Sequence, residues 1–228
     1  DLSAGTVVES SGEVTVTGAG VVTAVGTAER PVVFTDWRDD SIGGDTNGDG
    51  DASTPYNGSV AAISLSTAGR GSQVTLSHVN MDYLSPLQSG SSGGSESQVM
   101  ITDSRFTAHD DVQGSASANI GCKNATISGS TFTGIGLHFF YCDADLTNNT
   151  LSGLSATWSP DLSGIDLSGD GANTLTGTPA QRTMHSYQSV VPAGSTWQID
   201  ASRVAALGPF SDTVAGTLDL SPGTVVKS

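Results

Sequence analysis

The densest chemistry in the sequence lies between Asp36 and Asp51. There Asp36-Trp-Arg-Asp-Asp40 runs into Ser41-Ile-Gly-Gly-Asp-Thr-Asn-Gly-Asp-Gly-Asp51. Asp45, Asn47 and Asp49 place side-chain oxygens at alternate positions, Gly50 follows, and Asp51 adds a further carboxylate. A hard cation such as Ca²⁺ needs several oxygens converging on one point, and glycine lets the backbone curl around it.

The order D-x-[DN]-x-[DN]-G is also the first half of an EF-hand calcium loop. The second half departs from that pattern: counting Asp45 as position 1, position 12 is Tyr56 rather than a bidentate Glu. Asp39, Asp40 or a backbone carbonyl must therefore complete a shell begun by Asp45, Asn47, Asp49 and Asp51. The expected cofactor is Ca²⁺ in a structural role, pinning a long insertion to the strands it leaves. The alternative is an ion-free Asp/Asn/Gly surface turn.

Catalytic chemistry is weaker in the pattern. A glycoside hydrolase needs two carboxylates across a groove, for which His109-Asp110-Asp111, Asp143 and Asp145 are the candidates. A lyase acting on uronic acids needs a cation near Arg or Lys, and the middle of the chain offers only Arg105 and Lys123. No phosphate loop or His-Glu-x-x-His is present. His78, His109, His138 and His185 lack zinc-ligand spacing. Trp37, Trp158 and Trp197 could stack on sugars or simply cover a core. Thr15-Val-Thr17 hints at a flat threonine ladder, but it does not recur at a matching place downstream.

The elements that must position these residues show a repeat. Leu76–Met81, Ile101–Phe106, Ile127–Phe132 and Leu146–Leu151 each carry a large apolar residue, four small or polar residues, then a second large apolar residue. Their starts lie 25, 26 and 19 residues apart (76 to 101, 101 to 127, 127 to 146). A looser copy is Asn173–Gly177, which matches Asn149–Gly153. An odd spacing of five puts the two ends on opposite faces of a straight strand, so a bend must lie between them for both to point inward. That is a solenoid coil: strand, turn, strand, with apolar residues stacked on the next coil at ~4.8 Å. An antiparallel sandwich is the rival, but hairpin signals such as Asn-Gly fall outside the repeated segments. Asn148, Asn149 and Asn173 are candidates for an asparagine ladder inside a turn.

Cys122 lies five residues before Ile127, and Cys142 four before Leu146. These near-equivalent places predict a disulfide between adjacent coils in an oxidising compartment, with two free buried thiols as the alternative. Asp1–Ser10 and Asp219–Ser228 agree at eight of ten positions. The match suggests a tandem array in which the last coil opens the next unit, leaving coil edges that invite stacking on neighbouring copies or modules.

Composition agrees with an all-β chain: 228 residues, 29 of them Gly, with only 6% aromatic and 14% charged. Eight basic against 23 acidic residues give a net charge of −15, which argues against nucleic acid and anionic membranes. No apolar stretch reaches membrane-spanning length and no signal peptide is evident. The start at Asp1, directly in strand-like sequence, fits a processed or excised piece of something larger.

Gly26-Thr-Ala-Glu-Arg-Pro-Val-Val-Phe-Thr35, followed by Asp39–Gly50, resembles a segment of bacterial secreted and cell-surface proteins with right-handed parallel β-helix repeats. Pro222–Lys227 and Val191-Pro-Ala-Gly194 resemble coils of the same modules. Tyr56-Asn-Gly58 stands where the resemblance calls for Gly-Asp-Trp. The resemblance implies a right-handed parallel β-helix, secreted or on the cell surface, but no particular activity. The expected organisation is one module over 1–228, with opening coils over about 1–35 and the acidic loop over about 36–58. Central coils then run over about 59–178 and exit coils over about 179–228. The expected function is a structural or adhesive, fibre-forming module, with surface polysaccharide as a further partner. A polysaccharide lyase, glycoside hydrolase or carbohydrate-binding β-helix is the alternative.

Overall fold

Small β-branched segments punctuated by Gly, Ser, Asn and Asp become short strands, and every pairing between them is parallel. A computed structural model describes residues 1–65, 71–89, 96–140 and 142–152. Beyond these it describes mainly the backbone of strands and short turns within 156–227. Among the described residues there are strands and no helix.

Three sheets are built by taking every third strand. The first stacks Leu2–Ser3, Val21–Val25, Gln73–Ser77, Gln98–Thr102, Asn124–Ser128, Asp143–Thr147 and Gly164–Ile165. The second stacks Val7–Ser10, Val32–Asp36, Val79–Asp82, Arg105–Thr107, Thr131–Thr133, Thr150–Ser152 and Thr174–Thr176. The third stacks Val14–Val16, Ala61–Leu65, Ser85–Ser89, Ala116–Gly121, Ile135–Phe140 and Ala156–Trp158. It then continues through Thr183–Ser186, Val204–Leu207 and Val225–Lys227. Val190–Val191 pairs Thr213–Val214, and Thr196–Ile199 pairs Thr217–Leu220, in two further parallel ladders. Three consecutive strands thus make one rung, as expected of a parallel solenoid.

The register bears out the repeat read from sequence. Leu76, Ile101, Ile127 and Leu146 are direct partners up the first sheet. Met81, Phe106, Phe132 and Leu151 are partners up the second. All eight are buried, and the Phe106 and Phe132 rings stack with centroids 4.7 Å apart. The bend that the odd spacing demands is one residue in the left-handed region: His78 (φ 50°), Asp103 (φ 48°), Gly129 (φ 61°) and Asn148 (φ 56°).

The residue after each bend turns inward, and there the rungs are tied together. Val79 N donates to Ser104 Oγ, Ser104 N to Ser130 Oγ, Ser130 N to Asn149 Oδ1, and Asn149 N to Asn173 Oδ1. Ser104, Ser130, Asn149 and Asn173 are all buried. The asparagine ladder therefore holds for Asn149 and Asn173, extends to two serines, and excludes Asn148, which is exposed at the bend itself.

Cys122 and Cys142 form a disulfide with Cα atoms 4.8 Å apart, where consecutive rungs pass from the third sheet to the first. The terminal copies of Asp-Leu-Ser-x-Gly-Thr-Val-Val occupy different faces. The first supplies strands to the first and second sheets (Leu2–Ser3, Val7–Ser10). The second supplies strands to the Thr196–Ile199 ladder (Thr217–Leu220) and the third sheet (Val225–Lys227).

Candidate functional site

The site grows from one corner, where the chain passes from the second sheet to the third. At rung 3 that corner is only Tyr83 and Leu84, between Val79–Asp82 and Ser85–Ser89. At rung 2 the same corner carries residues 37–60, and at rung 4 it carries 108–115. Two insertions therefore flank a tight turn, and they meet across it.

Asn57 joins them. Its N donates to Gln113 O (2.9 Å), its Nδ2 to His109 O (2.7 Å) and Val112 O (3.1 Å), and its Oδ1 accepts from His109 N (3.0 Å). Asn57 also forms an isolated parallel bridge with Gly114, while Gly58 N donates to Tyr83 O (2.6 Å) on the rung between. Gly114, at φ +96°, must be glycine, because a Cβ there would lie 2.1 Å from Asn57 O and 2.6 Å from a Tyr56 ring carbon.

Under this clasp lies a cluster that spacing alone did not reveal. Tyr83 and His109 stack at 4.3 Å, His109 Nε2 lies 3.4 Å from Asp82 Oδ1, and Arg105 Nη2 lies 3.5 Å from Asp82 Oδ2. Burial, then the charges of Asp39, Asp82, Asp111 and Asp36, push the Tyr83 hydroxyl above its ordinary value. A phenol so shifted stays neutral and serves as a hydrogen-bonding group rather than a base.

At the root of the long insertion, Asp36 is fully buried and receives Arg38 through Nε (2.8 Å) and Nη2 (2.7 Å). Arg38 N and Ser59 Oγ also donate to it, at 2.9 and 2.5 Å. Burial pushes its carboxyl up, but the Arg38 and Ser59 bonds together outweigh it and hold the pKa below the usual carboxylate range.

The acidic loop brings together Asp40, Asp45 and Asp49, with one carboxylate oxygen of each within 4.8 Å of the others. Asp45 is held by Gly48 N, Asp49 N and Gly50 N at 2.7–3.1 Å, the curl that the glycine spacing predicts. Asn47 is tied into the curl rather than the carboxylate cluster. Its Oδ1 accepts from Asp49 N, and its Nδ2 donates to Ser53 Oγ, which itself donates to Asp49 Oδ2. Asp51 is exposed outside the three.

Asp39 turns the other way. It is buried and accepts from Thr35 Oγ1 (2.5 Å) and Ser41 Oγ (2.5 Å), so it anchors the loop base. Asp40 Oδ1 is buried with no hydrogen-bond partner. Desolvation, then Asp45, Asp49, Asp51 and Asp39, hold Asp40 above the ordinary carboxylate value. A donor set of three carboxylates fits a hard, oxygen-seeking cation.

Among the other candidates, Asp110 and Asp111 are exposed on the shorter insertion, and Asp145 is exposed on the first sheet. The side chains of Asp143, Trp158, His185 and Trp197 lie outside the described residues. Trp37 is 38% exposed, and the Arg38 guanidinium carbon lies 5.9 Å from the centre of its ring. No helix among the described residues is long and apolar enough to cross a membrane. The chain matches no family model, no curated protein and no solved structure.

Proposed function

We propose that the chain is a right-handed parallel β-helix acting as a structural or adhesive module of a secreted or cell-surface protein. It stacks end to end on neighbouring copies or modules and holds Ca²⁺ in its acidic loop. The observation that carries this reading is the rung-on-rung pairing of three parallel sheets, an arrangement that can run on from one unit into the next. Leu2–Ser3, Val7–Ser10 and Val14–Val16 form the first rung, each paired to a strand of the rung that follows. Val7 and Val14 there are 44% and 46% exposed. A further rung stacked on these strands, from a neighbouring copy or module, would gain both backbone bonds and apolar contact.

Right-handedness follows from the strong bias of parallel crossover connections. The buried Cys122–Cys142 bridge supports an oxidising compartment. The recurrence of Asp-Leu-Ser-x-Gly-Thr-Val-Val supports a chain that continues through its neighbours. For the cation, the support is the Asp40–Asp45–Asp49 cluster together with the orphaned Asp40 Oδ1, which a bound ion would satisfy.

Sedimentation over a rising concentration series tests the stacking. End-to-end association is expected, and Val7→Lys with Val14→Lys should abolish it; a monomer at every concentration up to ~1 mM sinks the proposal. Melting in chelator and in millimolar Ca²⁺ tests the ion, because a ligand at 100 times its Kd adds ~2.7 kcal/mol. An unchanged melting temperature rules the ion out. Turnover of polysaccharide by the purified chain would overturn the scaffold reading.

A further inference from the structure

The clasp between the two insertions builds a cleft, and the geometry points to a binding site for a neutral oligosaccharide. Two open hollows of about 410 and 570 Å³ adjoin and share Arg38 and Tyr56. Trp37 and Ser59 line the first; Ser53, Asp111 and Gln113 line the second. Each is within the range of small-ligand sites, and together they extend on both sides of one Tyr–Arg ridge, the form a chain of sugar rings would follow.

The lining suits a sugar's two chemistries. Tyr56 (41% exposed) and Trp37 (38% exposed) present aromatic surface on which the C–H face of a pyranose can lie. Between them Arg38 is held by its Nε and Nη2 bonds to Asp36, which leaves the Nη1 hydrogens for ligand hydroxyls in a fixed direction. Asp111, Gln113 and Ser53 supply acceptors and donors at the far side.

The platform is preorganised. The Tyr56 ring rests against Gly114, and the Asn57 clasp beneath it ties rung 2 to rung 4. A ligand therefore does not have to order the loops on binding.

Charge selects the class. Arg38 is already neutralised by Asp36, and Asp111 leaves the cleft with a net negative charge on a protein of net −15. A uronate or sulfated glycan meets repulsion with no free cation to answer it among the described lining residues, whereas a neutral hexose chain meets none. This site does not depend on end-to-end stacking and would serve a monomer equally.

The test is calorimetric titration of the full chain with cellohexaose, laminarihexaose and mannohexaose, with oligogalacturonate as the acidic probe and chitosan hexamer as the cationic one. At least one neutral hexaose should bind. Tyr56→Ala and Trp37→Ala should each weaken it by roughly tenfold, the upper range of an aromatic contact. Tyr56→Phe should retain most of the affinity, and Lys123→Ala all of it. Tyr56 and Trp37 are exposed, so circular dichroism and melting of these variants should match the parent. The inference is overturned if no neutral hexaose binds at ~10 mM, if Tyr56→Ala and Trp37→Ala bind unchanged, or if a charged probe binds more tightly than every neutral one.

Discussion

Two adjacent asparagines offer the sharpest test of how the rungs are held together. Asn149 is 1% exposed; its Oδ1 accepts from Ser130 N at 2.9 Å, and its Nδ2 donates to Ile127 O at 2.8 Å and Asn173 Oδ1 at 2.8 Å. Truncation to alanine leaves the Ser130 N–H without its acceptor and takes a donor from the Ile127 carbonyl, both inside the corner. Asn173 Oδ1 keeps the backbone N–H of residue 149. Two orphaned groups at ~1–3 kcal/mol each give an expected loss of ~2–6 kcal/mol, a large part of the total stability of a typical domain. Asn149→Ser should recover part of it, because serine already fills the equivalent place at 104 and 130.

Asn148 is the control. It is exposed and sits at φ 56°, a conformation that glycine adopts without strain, so Asn148→Gly should change stability by less than ~0.5 kcal/mol. Urea unfolding followed by circular dichroism gives the shift in midpoint at constant slope. Hydrogen exchange at the Ser130 amide reports the local bond, whose protection should collapse in Asn149→Ala alone. An Asn149→Ala midpoint within ~0.5 kcal/mol of the parent, or equal losses at 148 and 149, would refute the ladder as a source of stability.

Removing the disulfide by Cys122→Ala with Cys142→Ala should cost ~3 kcal/mol from chain entropy alone for a separation of 20 residues, read as a lower urea midpoint. Gly114→Ala should cost about 2–3 kcal/mol, since its Cβ meets Asn57 O and its φ is +96°; exchange should quicken at the Asn57 and His109 amides while the Ser130 amide is unaffected. Asp36 has a lowered pKa, so its stabilisation is complete above the unfolded value of 3.8 and is lost as pH falls below it. Asp36→Asn should therefore flatten the acid limb of stability against pH, and an unchanged limb would count against the Arg38 pairing. Asp40 has a raised pKa, so its ionisation destabilises the fold at neutral pH and the penalty is relieved on acidification. Asp40→Asn should raise the melting temperature in chelator and lower it in Ca²⁺; the same sign in both buffers would exclude Asp40 as a ligand.

The inward-facing rows were legible because parallel stacking repeats a requirement. Each of Leu76, Ile101, Ile127 and Leu146 fills the same place above its predecessor, so hydrophobic type recurs at the rung spacing even as that spacing changes. The cysteine bridge was legible for the same reason. The ladder was only half legible. Serine and asparagine both present a short acceptor to the next backbone N–H, and a search for asparagines alone passes over Ser104 and Ser130 and includes Asn148. The Asp45 curl could be read from local spacing because its bonds span at most five residues. Its closure by Asp40 and the diversion of Asp39 to Thr35 depend on which way the loop base turns, and spacing does not encode that. The clasp was illegible for a deeper reason: Asn57 meets His109 across 52 residues, and no repeat marks either partner.

The place of the cleft follows from what each corner can tolerate. At rungs 3 to 6, the corner between the first and second sheets is a single left-handed residue followed by a buried polar link to the next rung. An insertion between the bend and that link would pull the link out of line and orphan buried backbone groups at ~1–3 kcal/mol each. Among the described residues, the corner between the second and third sheets carries no such chain of buried side chains; Tyr83, Ala108 and Gly134 are joined through backbone bonds to Thr107, Thr133 and Ser152. Extra residues there cost only loop closure, which rises by ~0.6 kcal/mol for each doubling of length. Residues 37–60 and 108–115 both leave at this permissive corner. Their emergence on rungs 2 and 4, with a two-residue turn between, leaves a gap one rung wide. Asn57 spans that gap and turns two independent insertions into opposite walls of one site. Lengthening the rung 3 turn by four glycine and serine residues between Tyr83 and Leu84 should therefore leave the Ser130 amide protected while abolishing protection at Asn57 and His109. Retained protection at Asn57 would show that the clasp does not need the tight turn beneath it.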